Sequence, residues 1–386
     1  MGAVTYPARA VVDLSAIRSN VAALDERAGN AGVLAVVKAD GYGHGLVPAA
    51  LAALDGGAAW LGTAQLDEAL ELRAAGITAP VLCWLYAPGA RFADALLADV
   101  DLSVGAPWML GEILDAVRAT GRTARLHVKV DTGLGRSGVM PRDLPDVLDA
   151  VLAAEAQGLC RMVGLWSHLA WADDPGHPTV RAQTQVFADA VALAESRGAR
   201  LEVRHLANSA ATLTDPSMHY DLVRPGLAVY GLSPVPHLGG PADYGLRPAM
   251  RLEAELALIK RVPAGHGVSY GHAYTTPRET VLGVVPIGYA DGVPRHASGT
   301  AAAWGGPVQV GDRRLGVAGR VCMDQFVLDL GPRATEAAGD TVVLFGPGEH
   351  GEPTAQDWAE VVGTISYEIV TRVGARVPRV YLEERA

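Results

Sequence analysis

The stretch AVVKADGYGHG, residues 35 to 45, places a lysine where an apolar run stops. Val33, Leu34, Ala35, Val36 and Val37 are continuously apolar, rich in β-branched residues and preceded by Gly32. Such a run reads as a buried strand of a parallel sheet. Lys38 then stands at the strand's C-terminal end, which in α/β folds faces the ligand crevice. A lysine rooted in an apolar strand is partly desolvated, and desolvation favours its neutral, nucleophilic form. That form suits a Schiff base. Gly41, Gly43 and Gly45 let the backbone turn tightly beside Tyr42 and His44, whose side chains are expected to reach back over the lysine. The competing reading is a strand-ending lysine that extends its ammonium into solvent.

Outward from this strand the chain keeps a regular beat. Residues 13 to 29 predict a leading helix that Gly29 ends, with Ile17, Val21 and Leu24 on one face. Strand-like runs then alternate with helical ones: VLAVVK, AAWLGT, VLCWLY, DLSVG, ARLHVKV, RMVGLWSH, LEVRHLA and YDLVRPG are the eight strand candidates. Eight βα units in about 220 residues predict a (β/α)8 TIM-type barrel with its site at the strands' C-terminal ends. An open doubly wound sheet is the rival. Near residue 240 the helical period fades. LEAELALIKRV, TVLGVVPIG, PVQV, LGVAGRVCM, FVLDL and TVVLFG alternate with Gly and Pro turns and predict a mostly-β C-terminal domain, with one helix at TAQDWAEVVG capped by Thr354. The expected division is residues 1–240 and 241–386.

Length and composition agree with two domains. The 386 residues are 49% hydrophobic, enough for a sizeable core, and carry a net charge of −10. With a pI near 5.6 and no clustered basic residues, nucleic acid and anionic membranes are not expected as partners. Small molecules and a second copy of the chain are. No apolar run approaches the roughly 20 residues of a membrane span, and the N-terminus has no secretory pattern. Cys83, Cys160 and Cys322 lack metal-site or disulfide spacing, so no metal is expected and the compartment reads as the reducing cytoplasm.

Four further motifs fall at predicted strand ends. KVDTGLGRSG, residues 129–138, contains a formal GxGxxG, but Pro141 and Pro145 delay the helix that a dinucleotide site would need at once. It supplies instead Lys129, Asp131 and Arg136. WSHLA supplies His168, and HLANSAA supplies Asn208 and Ser209 where a helix opens, a place where free N–H groups and the dipole favour a phosphate. VRPGLAVYG brings Arg224 beside Gly226 and Leu227. Together they predict an anionic ligand at the barrel mouth with one lysine available for covalent attachment.

AVVKADGYGHG resembles the pyridoxal-phosphate attachment motif of alanine racemases. The resemblance implies that Lys38 carries pyridoxal 5'-phosphate, with Tyr42, Asn208, Ser209, Gly226 and Leu227 among the cofactor contacts. It further implies that Arg136 meets the cofactor's phenolic oxygen and the substrate carboxylate, and that Lys129, often carbamylated in the family, orients Arg136. Arg224 would face the pyridine nitrogen as a permanent cation unable to accept its proton. In the C-terminal region VSYG with Tyr270, GYADGVPR, GRVCMDQ with Met323 and Asp324, and TISYE with Tyr367 follow the racemase order. By that resemblance Tyr270 is a catalytic base, Met323 and Asp324 contact substrate, and Tyr367 lies on the cofactor and channel side. Inverting a stereocentre needs a base on each face of Cα, so Lys38 and Tyr270 pair, with His168 expected between Tyr270 and Arg224. The implied enzyme is a cytoplasmic homodimer with shared active sites that interconverts L- and D-alanine for peptidoglycan. A decarboxylase on a similar barrel and a non-catalytic pyridoxal-phosphate carrier are the alternatives.

Overall fold

In the computed structural model, which describes residues 7–383, the run that leads into Lys38 is one of eight parallel strands. In chain order the first strand among the described residues is β1 (Ala8–Asp13), followed by the helix Leu14–Ala28. Then come β2 (Gly32–Val36), β3 (Trp60–Thr63), β4 (Val81–Cys83), β5 (Asp101–Val104), β6 (Ala124–Lys129), β7 (Cys160–Trp166), β8 (Val203–His205) and β9 (Leu222–Val223). From β2 to β8 each pairs in parallel with its neighbours in sequence, and β9 pairs with β2. The ring closes between β8 and β9, where the Asp221 N–H donates to the Arg204 carbonyl and the Arg224 N–H to that of Ala207, at 3.0 and 2.9 Å. This is the predicted (β/α)8 barrel, and it excludes the open sheet.

The strands are buried on both faces because helices cover them, which is why they read as unbroken apolar runs. Those helices bury one stripe each; in Pro107–Thr120 the buried residues are Leu110, Ile113 and Val117, at helical spacing. After KVDTGLGRSG no helix forms until Leu144, consistent with the rejection of a dinucleotide turn.

The chain packs as two units: residues 16–41 with 46–247, and the described residues up to 15 with 42–45 and 248 onward. The barrel unit thus runs past residue 240. Buried Asn20 explains the extension, donating to the carbonyls of Val229 and Arg247 at 3.1 and 3.0 Å and accepting from the Arg247 N–H at 2.8 Å.

The second unit adds β10 (Met250–Glu255), β11 (Leu258–Val262), β12 (Gly267–Val268), β13 (Tyr274–Thr275), β14 (Thr280–Val285), β15 (Pro307–Val310), β16 (Arg313–Gly316), β17 (Phe326–Gly331), β18 (Thr341–Phe345) and β19 (Arg379–Leu382). They form sheets in the order β16-β15-β18-β10-β1-β19 and β11-β14-β17, with a β12-β13 pair. LEAELALIKRV, expected as one run, is therefore two strands in two sheets. Between them the Leu256 N–H turns to the Asp340 carbonyl and the Ala257 N–H to that of Val284. LGVAGRVCM is extended only at its start, because Gly319 takes φ +78° and a Cβ there would lie 2.7 Å from the Val268 carbonyl oxygen. The helix Ala355–Val362 forms as expected, Thr354 accepting from the Asp357 N–H at 3.1 Å.

Candidate active site

In the barrel unit the sequence-predicted residues gather at the C-terminal ends of the strands. Lys38 follows β2 by two residues and opens a backbone turn of the wrong hand for L-residues, with Ala39, Asp40 and Gly41 at φ near +55° and Tyr42 at +52°. Left-handed geometry costs roughly 1–2 kcal/mol per non-glycine residue, so the surroundings must impose it. Glu68 is one agent, accepting from the Ala39 N–H at 2.6 Å and from those of Ala64 and Gln65 at 3.0 Å. Asp40 is another, accepting from the Leu46 N–H at 2.8 Å. Burial, reinforced by the Arg136 guanidinium, pushes the Lys38 amine down from its ordinary pKa.

Lys129 ends β6, almost fully buried. Its Nζ donates to Ser137 Oγ at 2.7 Å and sits 4.4 Å from the centre of the Trp166 ring. Burial, with Arg136 and Arg224 adding repulsion, lowers it to about 7. Asp131 shapes the following loop by accepting from the N–H groups of Gly133, Leu134 and Gly135 within 3.1 Å. Arg136, on that loop, is exposed.

Arg224 is buried, and its contacts are neutral ones. Nη2 donates to the carbonyls of Ser167 and Leu206 at 2.6 and 3.1 Å, Nη1 meets His205 Nδ1 at 3.3 Å, and the guanidinium lies 4.8 Å from the Trp166 ring centre. Burial pushes it down to about 9, still charged at neutral pH. His168 Nδ1 lies 3.4 Å from Nη2, and burial with the Arg224 charge holds this imidazole neutral, well below its usual range. Asn208 caps the helix Ser209–Thr214, accepting from the Ala211 N–H at 3.1 Å. Ser209 Oγ receives the N–H groups of Gly226 and Ala228 at 2.8 and 3.3 Å, where Leu227 opens a short 3-10 turn. The Ser209 hydroxyl thus gathers two backbone N–H groups at the strand end where the sequence places an anion.

Family models describe the alanine racemase N-terminal domain and the alanine racemase C-terminal domain; the first matches residues 12–234 and the second residues 249–381. An alanine racemase of Frankia casuarinae is 62% identical over 373 residues, covering 97% of this chain and 96% of that protein. One of Beutenbergia cavernae is also 62% identical, covering 99% of each. The crystal structure of alanine racemase from D-cycloserine-producing Streptomyces lavendulae superposes with a TM-score of 0.96 at 56% identity, covering 99% of this chain and 98% of that one. The chain belongs to the alanine racemase family.

Both alanine racemase domains in one chain remove the carrier reading, which requires a lone barrel, and the racemase identity over full length removes the decarboxylase. In the C-terminal unit Tyr42 is buried with its ring 6.3 Å from that of Tyr367, and burial raises its phenol above the ordinary range. His44 Nδ1 lies 3.0 Å from the Tyr42 carbonyl oxygen. Two of the motif's glycines, Gly43 and Gly45, answer to this unit. A Cβ on Gly43 would lie 2.4 Å from the Val370 carbonyl oxygen, and one on Gly45 would lie 2.0 Å from the Tyr381 hydroxyl. Tyr270 is 70% exposed and Met323 53% exposed. Ser269, at φ +60°, precedes Tyr270 and donates from Oγ to the Arg320 carbonyl at 2.6 Å. Asp324 receives Arg376 at 2.8 Å.

Sequence reasoning passed over Glu68, Trp166 and His205. Glu68 sits in an ordinary helical run, QLDEALELRAAG. Trp166 and His205 stand in strands already counted as barrel, where the strand-end rule used for Lys38 and His168 could have found them.

Proposed function

We propose that this protein interconverts L- and D-alanine on pyridoxal 5'-phosphate attached to Lys38, with Lys38 and Tyr270 as the two proton-moving groups. The observation that carries the chemistry is an amine lowered by burial at a barrel strand end, in the same barrel unit as a buried arginine that follows another strand. The residues fit that group part by part. A neutral amine suits its aldehyde, the Ser209, Gly226 and Leu227 turn with Asn208 suits its phosphate, and Arg224 suits its ring nitrogen. Tyr42 and Tyr367 would flank it, and Arg136 would meet its phenolic oxygen and the substrate carboxylate. When bound, the cofactor supplies an electron sink that makes the α-proton of alanine removable.

The rest is done by the chain. Lys38, its amine lowered by burial and by the Arg136 charge, takes or returns the proton on the D-alanine side, and Tyr270 on the L-alanine side. Arg224 holds a permanent cation in one orientation through two carbonyls and His205, and cannot take up a proton. His168, kept neutral, is the hydrogen-bonding link between Arg224 and the tyrosine. Lys129, lowered to about 7, offers neutral amine near neutral pH, and that form adds to CO2 with release of a proton to give a carbamate able to pair with Arg136. Met323 and Asp324 contact the substrate.

The exposure of Tyr270 and Met323 supports a homodimer in which each chain completes its partner's site. We place the enzyme in the cytoplasm, supplying D-alanine for peptidoglycan. Among the described residues no helix is long and apolar enough to cross a membrane. The test is Lys38→Ala, which is expected to abolish the fall in optical rotation of an L-alanine solution and the fixation of cofactor by borohydride. Full-stoichiometry fixation to the variant would move the attachment to another lysine.

A further inference from the structure

A line of buried side chains runs through the barrel interior behind Arg224. His205 Nδ1 faces Arg224 Nη1 at 3.3 Å, and its Nε2 faces His127 Nδ1 at 3.0 Å. His127 Nε2 faces Asp101 Oδ2 at 3.2 Å, and Asp101 Oδ1 receives Arg125 Nε at 2.9 Å. Asp101, His127 and His205 are each at most 2% exposed. Arg125, toward the opposite end of the barrel, also meets Glu202 at 3.3 Å.

The two ends fix every proton between them. A guanidinium can only donate and an ionised carboxylate can only accept. Arg224 therefore requires a lone pair on His205 Nδ1, so the His205 proton sits on Nε2 and points at His127 Nδ1. His127 must then carry its own proton on Nε2, aimed at Asp101. The directions agree all along the line, Arg224 to His205 to His127 to Asp101, with no N–H facing an N–H. Burial and the neighbouring Arg224 charge hold His205 neutral, as this order requires. Trp166 stacks on His205 with the ring planes 4° apart, and Trp60 meets His127 edge-on, so neither imidazole is free to rotate away.

We infer that Asp101 and His127 are positioning residues for racemisation: they hold His205 in the Nε2-protonated tautomer, which keeps its Nδ1 lone pair available to Arg224 and fixes the guanidinium. They touch neither substrate nor cofactor. The consequence for turnover rests on the racemase reading above, while the tautomer itself does not.

Asp101→Asn distinguishes this from a merely structural role. Asparagine has one acceptor oxygen, and Arg125, which can only donate, claims it. The amide N–H2 then faces His127, whose tautomer inverts; His205 inverts in turn and presents an N–H to Arg224. Adding Arg125→Met frees the amide oxygen for His127 and restores the original direction.

Neutron diffraction from crystals of the cofactor-loaded wild type is expected to place deuterons on Nε2 of both His127 and His205. A deuteron on His205 Nδ1, or on both nitrogens of either ring, overturns the inference. In solution Asp101→Asn should lower kcat roughly tenfold with KM within about twofold, the low end of the loss seen when an outer partner that orients a functional group is removed. The double variant should return to within about threefold of Arg125→Met alone. A folded Asp101→Asn with wild-type kcat, or a loss that Arg125→Met does not relieve, overturns it too. If Asp101→Asn does not fold, the wild-type deuteron positions decide. Absence of alanine racemisation in the wild type would sink the racemase reading and leave the deuteron test standing.

Discussion

At the scale of single residues, the barrel mouth gathers cations whose mutual repulsion and burial outweigh the acidic groups beside them, Glu68 and Asp131. Lys129 carries the largest consequence. Its amine is lowered from 10.5 to about 7 by burial and by Arg136 and Arg224. The sign follows from linkage: between pH 7 and 10.5 the unfolded chain binds a proton that the folded one does not, so folding stability rises with pH across that window. Below pH 7 the cost of the buried charge is fully present. The difference in thermal midpoint between wild type and Lys129→Met, in CO2-free buffer, should therefore move in favour of wild type as pH climbs from 7 toward 10. A flat difference would mean that the lysine is not depressed. Lys38, His168 and Arg224 were legible as single residues because each stands at a strand end, a position that the apolar pattern marks, whereas Arg136, on the loop after β6, was read from its motif. Glu68 was not, since its role depends on the strand-end turn that folding brings alongside its helix.

At the scale of elements, β7 contains a glycine whose reason lies in its neighbours. A Cβ at Gly164 would stand 2.6 Å from His127 Nδ1 and 3.0 Å from the Val203 carbonyl oxygen. The β6–β7 register also shifts between Leu126 and His127. Gly164→Ala is expected to cost about 1–3 kcal/mol by overpacking and to displace the His127 and His205 rings. Chemical denaturation would register the first. An unchanged midpoint would show that the strand yields without strain. Element type was readable wherever the period was long, as in the eight barrel strands and the helix capped by Thr354. It failed at LEAELALIKRV and LGVAGRVCM, because alternation cannot tell one strand from two in different sheets, and a glycine at positive φ looks the same in sequence as any other. The left-handed turn after Lys38 was likewise invisible: Ala39 and Asp40 carry no signal for it.

At the scale of the whole molecule, the proposed sharing of sites between two chains has a quantitative test. Lys38→Ala and Tyr270→Ala homodimers should each be nearly inactive. After mixing and random subunit exchange half the dimers are mixed, each with one intact site, so activity should recover to roughly a quarter of wild type. No recovery despite demonstrated exchange would place both groups in one chain. By itself the sequence determined the barrel and the β-rich second part, which rest on periodicity, and it singled out Lys38 as the proposed attachment lysine through a motif contained in eleven consecutive residues. Only the tertiary structure decided that β1, from the start of the chain, lies between β10 and β19. It alone showed that Gly43 and Gly45 make room for Val370 and Tyr381, and that a line of four side chains runs from Asp101 to Arg224. Those are contacts between residues tens to hundreds of positions apart, and local pattern holds no record of which distant atoms will meet.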